Sequence, residues 1–167
     1  RLQVEHGITE LCYDVDLVEL MLKQADAELS GKGGLEANLL DKLQPSSPKG
    51  VAIEARVYAE NPAKDYAPSP GLLQEVKWKE VPGSRIDTWV HRGIRVSPNY
   101  DPLLAKAMVH SESRDKAIEG LKTLLTETQI SGPPTNLDFL AAILGDDTFK
   151  SGTTMTKFLS SFDYRPA

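Results

Sequence analysis

VAIEARVYAE, residues 51–60, sets the fold reading because its apolar and polar side chains alternate along almost its whole length. In an extended chain Val51, Ile53, Ala55 and Val57 fall on one face, and Glu54, Arg56, Tyr58 and Glu60 on the other. The stretch is therefore expected to be a strand with one face on a core and a charged opposite face. Downstream, NPAKDYAPSPG (61–71) is too rich in proline and glycine for regular structure. Short strands are expected at 72–78, 85–91 and 104–110, with Trp78 and Trp89 as core or edge packing. The period then changes. Ser113 caps an expected helix whose apolar stripe is Ala117, Ile118, Leu121, Leu124 and Leu125. Thr135 and Asp138 resemble a capping box, with Leu137, Leu140, Ala141 and Leu144 buried behind it, and a last short helix is expected over 154–161.

Upstream, QPSSPKG (44–50) reads as a loop, and Asp16 to Leu29 as a helix with Val15, Val18, Leu22, Ala25 and Leu29 as its stripe. Gly31, Gly33 and Gly34 stop that helix; without a following Ser or Thr, GKGG is not a phosphate loop. RLQVEHGITE (1–10) opens with strand-like alternation that would put Arg1, Gln3 and Glu5 on one face. Strands followed by helices, without strand–helix–strand alternation, predict an α+β domain.

The 167 residues suffice for one sizeable core. A net charge of −5 argues against holding phosphodiester backbones, so no nucleic-acid partner is expected, although a local cationic pocket remains compatible with it. No apolar run is long enough to span a bilayer, and no membrane partner is expected. The chain opens on Arg1 without Met or a signal-peptide pattern, which suggests a piece of something longer. One cysteine, Cys12, cannot pair internally; a reducing, cytoplasmic location is the expectation. Cys12 reads as a small core residue, and the three histidines are too scattered for a metal site.

Arg1, Gln3 and Glu5 combine a guanidinium, an amide and a carboxylate. A forked guanidinium suits a planar oxyanion such as bicarbonate, the amide orients it, and a nearby carboxylate can take its proton, provided burial brings its pKa toward working pH. Arg56 supplies a second cation from another strand. Arg and Glu at such spacing are also ordinary surface pairs worth roughly 0–1 kcal/mol, and spacing alone does not decide.

RLQVEHGITE closely resembles the RLQVEH-x-x-TE signature of biotin carboxylases. EARVYAE, APSPG, NYDPLLAK, TN-x-D and the Gly152–Thr153 pair resemble further family motifs in the same order, over nearly the whole chain. The resemblance implies that residues 1–47 are the C-terminal remnant of an ATP-grasp domain with its linking helix. Residues 48–167 would be the biotin carboxylase C-terminal domain, an antiparallel sheet flanked by helices. It implies that Arg1, Gln3 and the backbone of Val4 bind bicarbonate and that Glu5 deprotonates it for attack on the γ-phosphate of ATP. Arg56 would steady the biotin anion. Met155 matches a position beside adenine, with a place in a small-helix core as the alternative. Asp101 either orients Arg56 or makes a turn with Pro102, Lys106 lies toward the biotin end, and His6 is a packed residue behind the site. The implied cofactors are biotin, ATP and Mg2+ or Mn2+, whose ligands would precede Arg1. The implied partners are bicarbonate and the biotin carrier and carboxyltransferase domains of the same polypeptide. Gly7, RIDTWVHRG (85–93) and SFDYRPA (161–167) resemble the urea carboxylase branch, which converts urea to allophanate. An acyl-CoA or pyruvate carboxylase and a non-catalytic docking module are the alternatives. On the resemblance, the isolated piece is expected to be inactive.

Overall fold

The alternating stretch forms the edge strand of a three-stranded antiparallel sheet. The structure, a computed structural model, describes residues 1–36, 39 and 47–165. In chain order the elements are α1 (His6–Tyr13), α2 (Leu17–Leu29), β1 (Val51–Tyr58), β2 (Glu60–Asn61), β3 (Ala67–Pro68), β4 (Gly71–Leu72), β5 (Glu75–Lys77), β6 (Ser84–Thr88), β7 (Arg95–Val96) and β8 (Leu103–Ser111). There follow α3 (Arg114–Glu127), β9 (Gln129–Ser131), α4 (Leu137–Gly145) and α5 (Asp147–Lys150), with 3-10 turns at Pro62–Lys64 and Phe158–Ser161. The main sheet has the order β1-β8-β6; the remaining strands form three small pairs.

Register sorts the two faces of the main sheet. Ile53 faces Val109 and Ala55 faces Ala107 across β1 and β8, while Ile86 faces Ala107 across β6 and β8. These side chains pack against Ala117, Ile118, Leu121, Leu124 and Leu125 of α3, the stripe expected from the sequence. Leu121 and Leu124 have no exposed surface, and each such side chain contributes about 1.5–3 kcal/mol. A second cluster of Ala59, Leu73, Val90, Val96 and Leu104 fills the space under the small strands, and Trp78 packs against both clusters.

The opposite face is polar and ordered in rows. Arg56, Lys106 and Asp87 stand side by side across the three strands, and Glu54, Met108 and Arg85 form the next row. Helix α1 lies over this face. Its Gly7 comes so close that a Cβ there would collide with the Met108 thioether.

Several sequence expectations need correction. Residues 1–10 are not a strand: Arg1 to Glu5 form a loop and turn, and α1 begins at His6. The Gln3 carbonyl accepts from His6 N (3.3 Å), so a local turn replaces ladder pairing. Thr135 is not a cap. Asn136 occupies the N-cap of α4, and its side chain instead serves β1, accepting from Tyr58 N (2.8 Å) and donating to the Arg56 carbonyl (3.1 Å). The helix expected over 154–161 shrinks to the 3-10 turn. Trp78 lies just past β5, and Trp89, just past β6, is exposed with its Nε1 donating to the Leu103 carbonyl (2.8 Å). Helix α2 forms where expected, capped by Asp16, yet none of its residues is buried. Residues 44–46 of the expected loop and the last two residues of SFDYRPA lie outside the described residues.

Candidate functional site

The site is assembled by α1 resting on the polar rows. Arg56 Nη2 donates to Glu5 Oε2 at 2.8 Å, joining residues 51 positions apart in sequence. Arg56 Nε also lies 3.6 Å from Glu54 Oε1. The two carboxylates differ in setting. The Glu5 side chain is 48% exposed, so the burial expected for it is absent, while that of Glu54 is 5% exposed. Burial pushes the Glu54 carboxyl above its ordinary pKa, against the opposing pull of Lys106 and Arg56. Its Oε2 has no hydrogen-bond partner among the described residues.

Lys106, itself buried, donates from Nζ to the Val4 carbonyl (3.1 Å) and pairs with Asp87 Oδ2 (3.1 Å). Arg85 grips both Asp87 oxygens through Nε (2.8 Å) and Nη2 (3.0 Å), and its Nη1 reaches Glu10 Oε2 (2.6 Å). Burial disfavours the Asp87 carboxylate, but the Arg85 and Lys106 hydrogen bonds and charges outweigh it, and its pKa lies below the ordinary value. Glu10 Oε1 also accepts from Leu17 N at the start of α2 (2.8 Å). His6 packs behind the loop, its Nδ1 against the Gln3 carbonyl (2.8 Å).

Arg56 also reaches an open cleft of about 510 Å3 along the free edge of β1, whose lining includes Tyr58, Asn136, Phe139, Met155 and Leu159. Met155 is 80% exposed at this cleft, which removes its reading as a small-helix core residue. Asp101 makes a turn, Oδ1 accepting from Leu103 N (2.9 Å), and the carboxylates paired with Arg56 are Glu5 and Glu54. Of the sequence-predicted residues, Glu5 and Arg56 meet. Arg1 and Gln3 are exposed on the loop beside them, with Arg1 bonded only to the Leu2 carbonyl (3.4 Å) among the described residues. Sequence reasoning missed Glu10, Glu54, Arg85 and Asp87. Alternation on β1 placed Glu54 on the face of Arg56, but the matching rows on β6 and β8 require the register.

A profile of the Biotin carboxylase C-terminal domain family matches residues 54–161. The chain belongs to that family. A putative urea carboxylase of Emericella nidulans is 67% identical over the whole chain, which spans 14% of that relative's length. The crystal structure of Kluyveromyces lactis urea carboxylase superposes with a TM-score of 0.86 at 43% identity, covering 99% of this chain and 14% of that one. The biotin carboxylase domain of Hydrogenobacter thermophilus 2-oxoglutarate carboxylase, solved with MgADP, ADP and bicarbonate, superposes at 0.85 with 29% identity, over 99% of this chain and 36% of that one. The biotin carboxylase fold places the expected antiparallel sheet and flanking helices where the structure has them. Among the described residues no helix is long and apolar enough to cross a membrane.

Proposed function

We propose that this chain supplies the bicarbonate and biotin side of an ATP-dependent biotin carboxylase, and that the complete protein passes the carboxyl group to urea, forming allophanate. The observation that carries this reading is the Glu5–Arg56 pair at 2.8 Å, formed by two family signature segments, with Arg56 also lining an open cleft. The first relative's 67% identity supports urea as the acceptor.

In this reading Arg1, Gln3 and the Val4 backbone bind bicarbonate on the exposed loop, and the guanidinium of Arg1 grips its oxygens in a fork. Glu5 takes the bicarbonate proton at its carboxylate; its exposure gives the anion access. Arg56, already charged and fixed on β1, faces developing negative charge beside Glu5 without having to reorganise. When bound, biotin supplies a ureido nitrogen as carboxyl acceptor and ATP the phosphoryl group that activates bicarbonate. The cleft fits such a guest in having an apolar wall at Phe139 and Leu159 and a cationic end at Arg56. Met155, exposed at its rim, is the candidate contact to adenine. Mg2+ or Mn2+ would be held by residues outside this chain, as would the biotin carrier and carboxyltransferase domains that complete the cycle. We assign residues 1–47 to the end of the ATP-grasp half and 48–167 to the C-terminal domain. The unpaired Cys12 fits a reducing compartment such as the cytoplasm.

The test is bicarbonate-dependent ATP cleavage by the full-length protein with free biotin, comparing wild type with Arg56→Ala and Glu5→Gln. Each substitution is expected to lower the biotin-stimulated rate by about 100-fold or more. Unaltered rates in both would overturn the residue roles. Urea-dependent turnover in the wild type tests the acceptor, and its absence alongside intact ATP cleavage would remove urea alone. The isolated 167-residue chain is expected to show no ATP cleavage in the same assay.

A further inference from the structure

We propose that Lys106 is a positioning residue for the bicarbonate loop, acting through an ion chain that clamps the segment from Val4 to Glu10 onto the sheet; this rests on the function proposed above. Arg56 needs no such help, because β1 is bonded to β8 along its length. The loop of residues 1–5 is different. It pairs with no strand among the described residues, so its height above Arg56 depends on individual contacts. The contact at its centre is Lys106 Nζ on the Val4 carbonyl, at 3.1 Å.

Register makes this geometry specific. Lys106 lies directly across from Arg56 on one side and Asp87 on the other, so its ammonium stands in the row that carries the site. The Lys106 side chain is 11% exposed, and an ammonium that deep needs a compensating charge. Asp87 provides it at 3.1 Å, is gripped by the Arg85 fork, and Arg85 in turn holds Glu10 at 2.6 Å. One chain of alternating charge thus fixes Val4 and Glu10, the two ends of a seven-residue segment that contains Glu5 and the first turns of α1. A hydrophobic clamp would hold the helix but could not bond the Val4 carbonyl. An ammonium also places positive charge under the loop where an anion is to bind, which a neutral donor would not. Loosening the clamp would shift the Val4 peptide and Glu5 relative to Arg56, and displacements of about 1 Å at such a site cost up to about 100-fold.

The experiment uses the full-length protein with Lys106→Met, Lys106→Arg and Asp87→Asn, measuring kcat and KM for bicarbonate and for ATP. Lys106→Met is expected to raise the bicarbonate KM about 10-fold or more and to leave the ATP KM within about twofold. Lys106→Arg, which keeps the charge, is expected to recover most of that loss. Asp87→Asn keeps the ammonium but loosens it, and should move the bicarbonate KM about threefold in the same direction. A bicarbonate KM within twofold of wild type in Lys106→Met would overturn the proposal. So would a parallel loss in every parameter that Lys106→Arg fails to rescue, since that is the mark of damaged folding. Hydrogen exchange over residues 1–10 gives a readout free of chemistry, expected to be about 10-fold faster in Lys106→Met. If the wild type shows no bicarbonate-dependent ATP cleavage, the proposed function falls and the catalytic meaning of the clamp with it. Unchanged exchange in Lys106→Met would then overturn the clamp itself.

Discussion

Charged side chains at the sheet–helix contact make opposite demands on pH. Asp87 is held ionised by Arg85 and Lys106, so its pKa is lower folded than unfolded. Its contribution is fully present above the unfolded value and disappears as pH falls through the folded one. Asp87→Asn is therefore expected to cost about 2 kcal/mol near neutrality, a figure reduced for its partial exposure, with the difference shrinking in acid. Urea titrations at a series of pH values check this. Glu54 behaves in the opposite sense. Its folded pKa is raised by burial, so the ionised form opposes folding, and stability is lost as pH rises through that folded value. The Tm of Glu54→Gln relative to wild type should therefore climb as pH rises above the ordinary carboxylate range. A flat difference would mean that Lys106 and Arg56 fully offset the burial.

Between elements, two close approaches hold the architecture. Asn136 is 5% exposed and stands in for a neighbouring strand at the free edge of β1, satisfying one amide and one carbonyl. Asn136→Ala leaves both without a partner and should cost about 2–4 kcal/mol in denaturant unfolding. Because that carbonyl belongs to Arg56, the change should also loosen the site. At Gly7 the packing of α1 on β8 leaves no room for a Cβ beside Met108. Alanine favours helix by about 1 kcal/mol over glycine, but overpacking a buried contact costs about 1–3 kcal/mol, so Gly7→Ala should be destabilising on balance. The loss should be partly recovered in a Gly7→Ala, Met108→Ala double variant relative to the sum of the single changes.

Across the whole molecule, burial is unevenly shared. Helix α3 sinks five residues into the core, whereas α2 buries none and exposes Val18, Met21, Leu22 and Leu29. Helical amides held mainly by their own backbone open more readily than those locked by packing. In the isolated chain α2 is expected to exchange its amides at least about 100-fold faster than α3, as read by mass spectrometry. Equal protection would show that α2 has packing beyond that seen in the structure. The C-terminal stretch has a firmer anchor, since Tyr164 and Phe162 pack edge-on against Phe139 at 5.2 and 5.9 Å.

Period and composition alone pointed to a strand over 51–60, of which 51–58 forms, to a helix capped by Ser113 with all five of its buried residues, and to the placement of Arg56 on a polar rather than apolar face. These are local consequences of side-chain spacing, which a core reads out directly. The signature strings identified the family and singled out Glu5 and Arg56, which do meet. Tertiary structure decided what spacing cannot encode. Alternation in residues 1–5 looked like a strand, but no strand pairs with them among the described residues, and their backbone turned to His6 and Lys106 instead. Asn136 stood out in the sequence only as part of the TN-x-D string until the edge of β1 was there to receive it. The ion chain through Glu10, Arg85, Asp87 and Lys106 depends on how β6, β8 and α1 come together, because Lys106 and Asp87 become partners only when the sheet sets them in one row, with Arg85 in the next row beneath Glu10 of the helix.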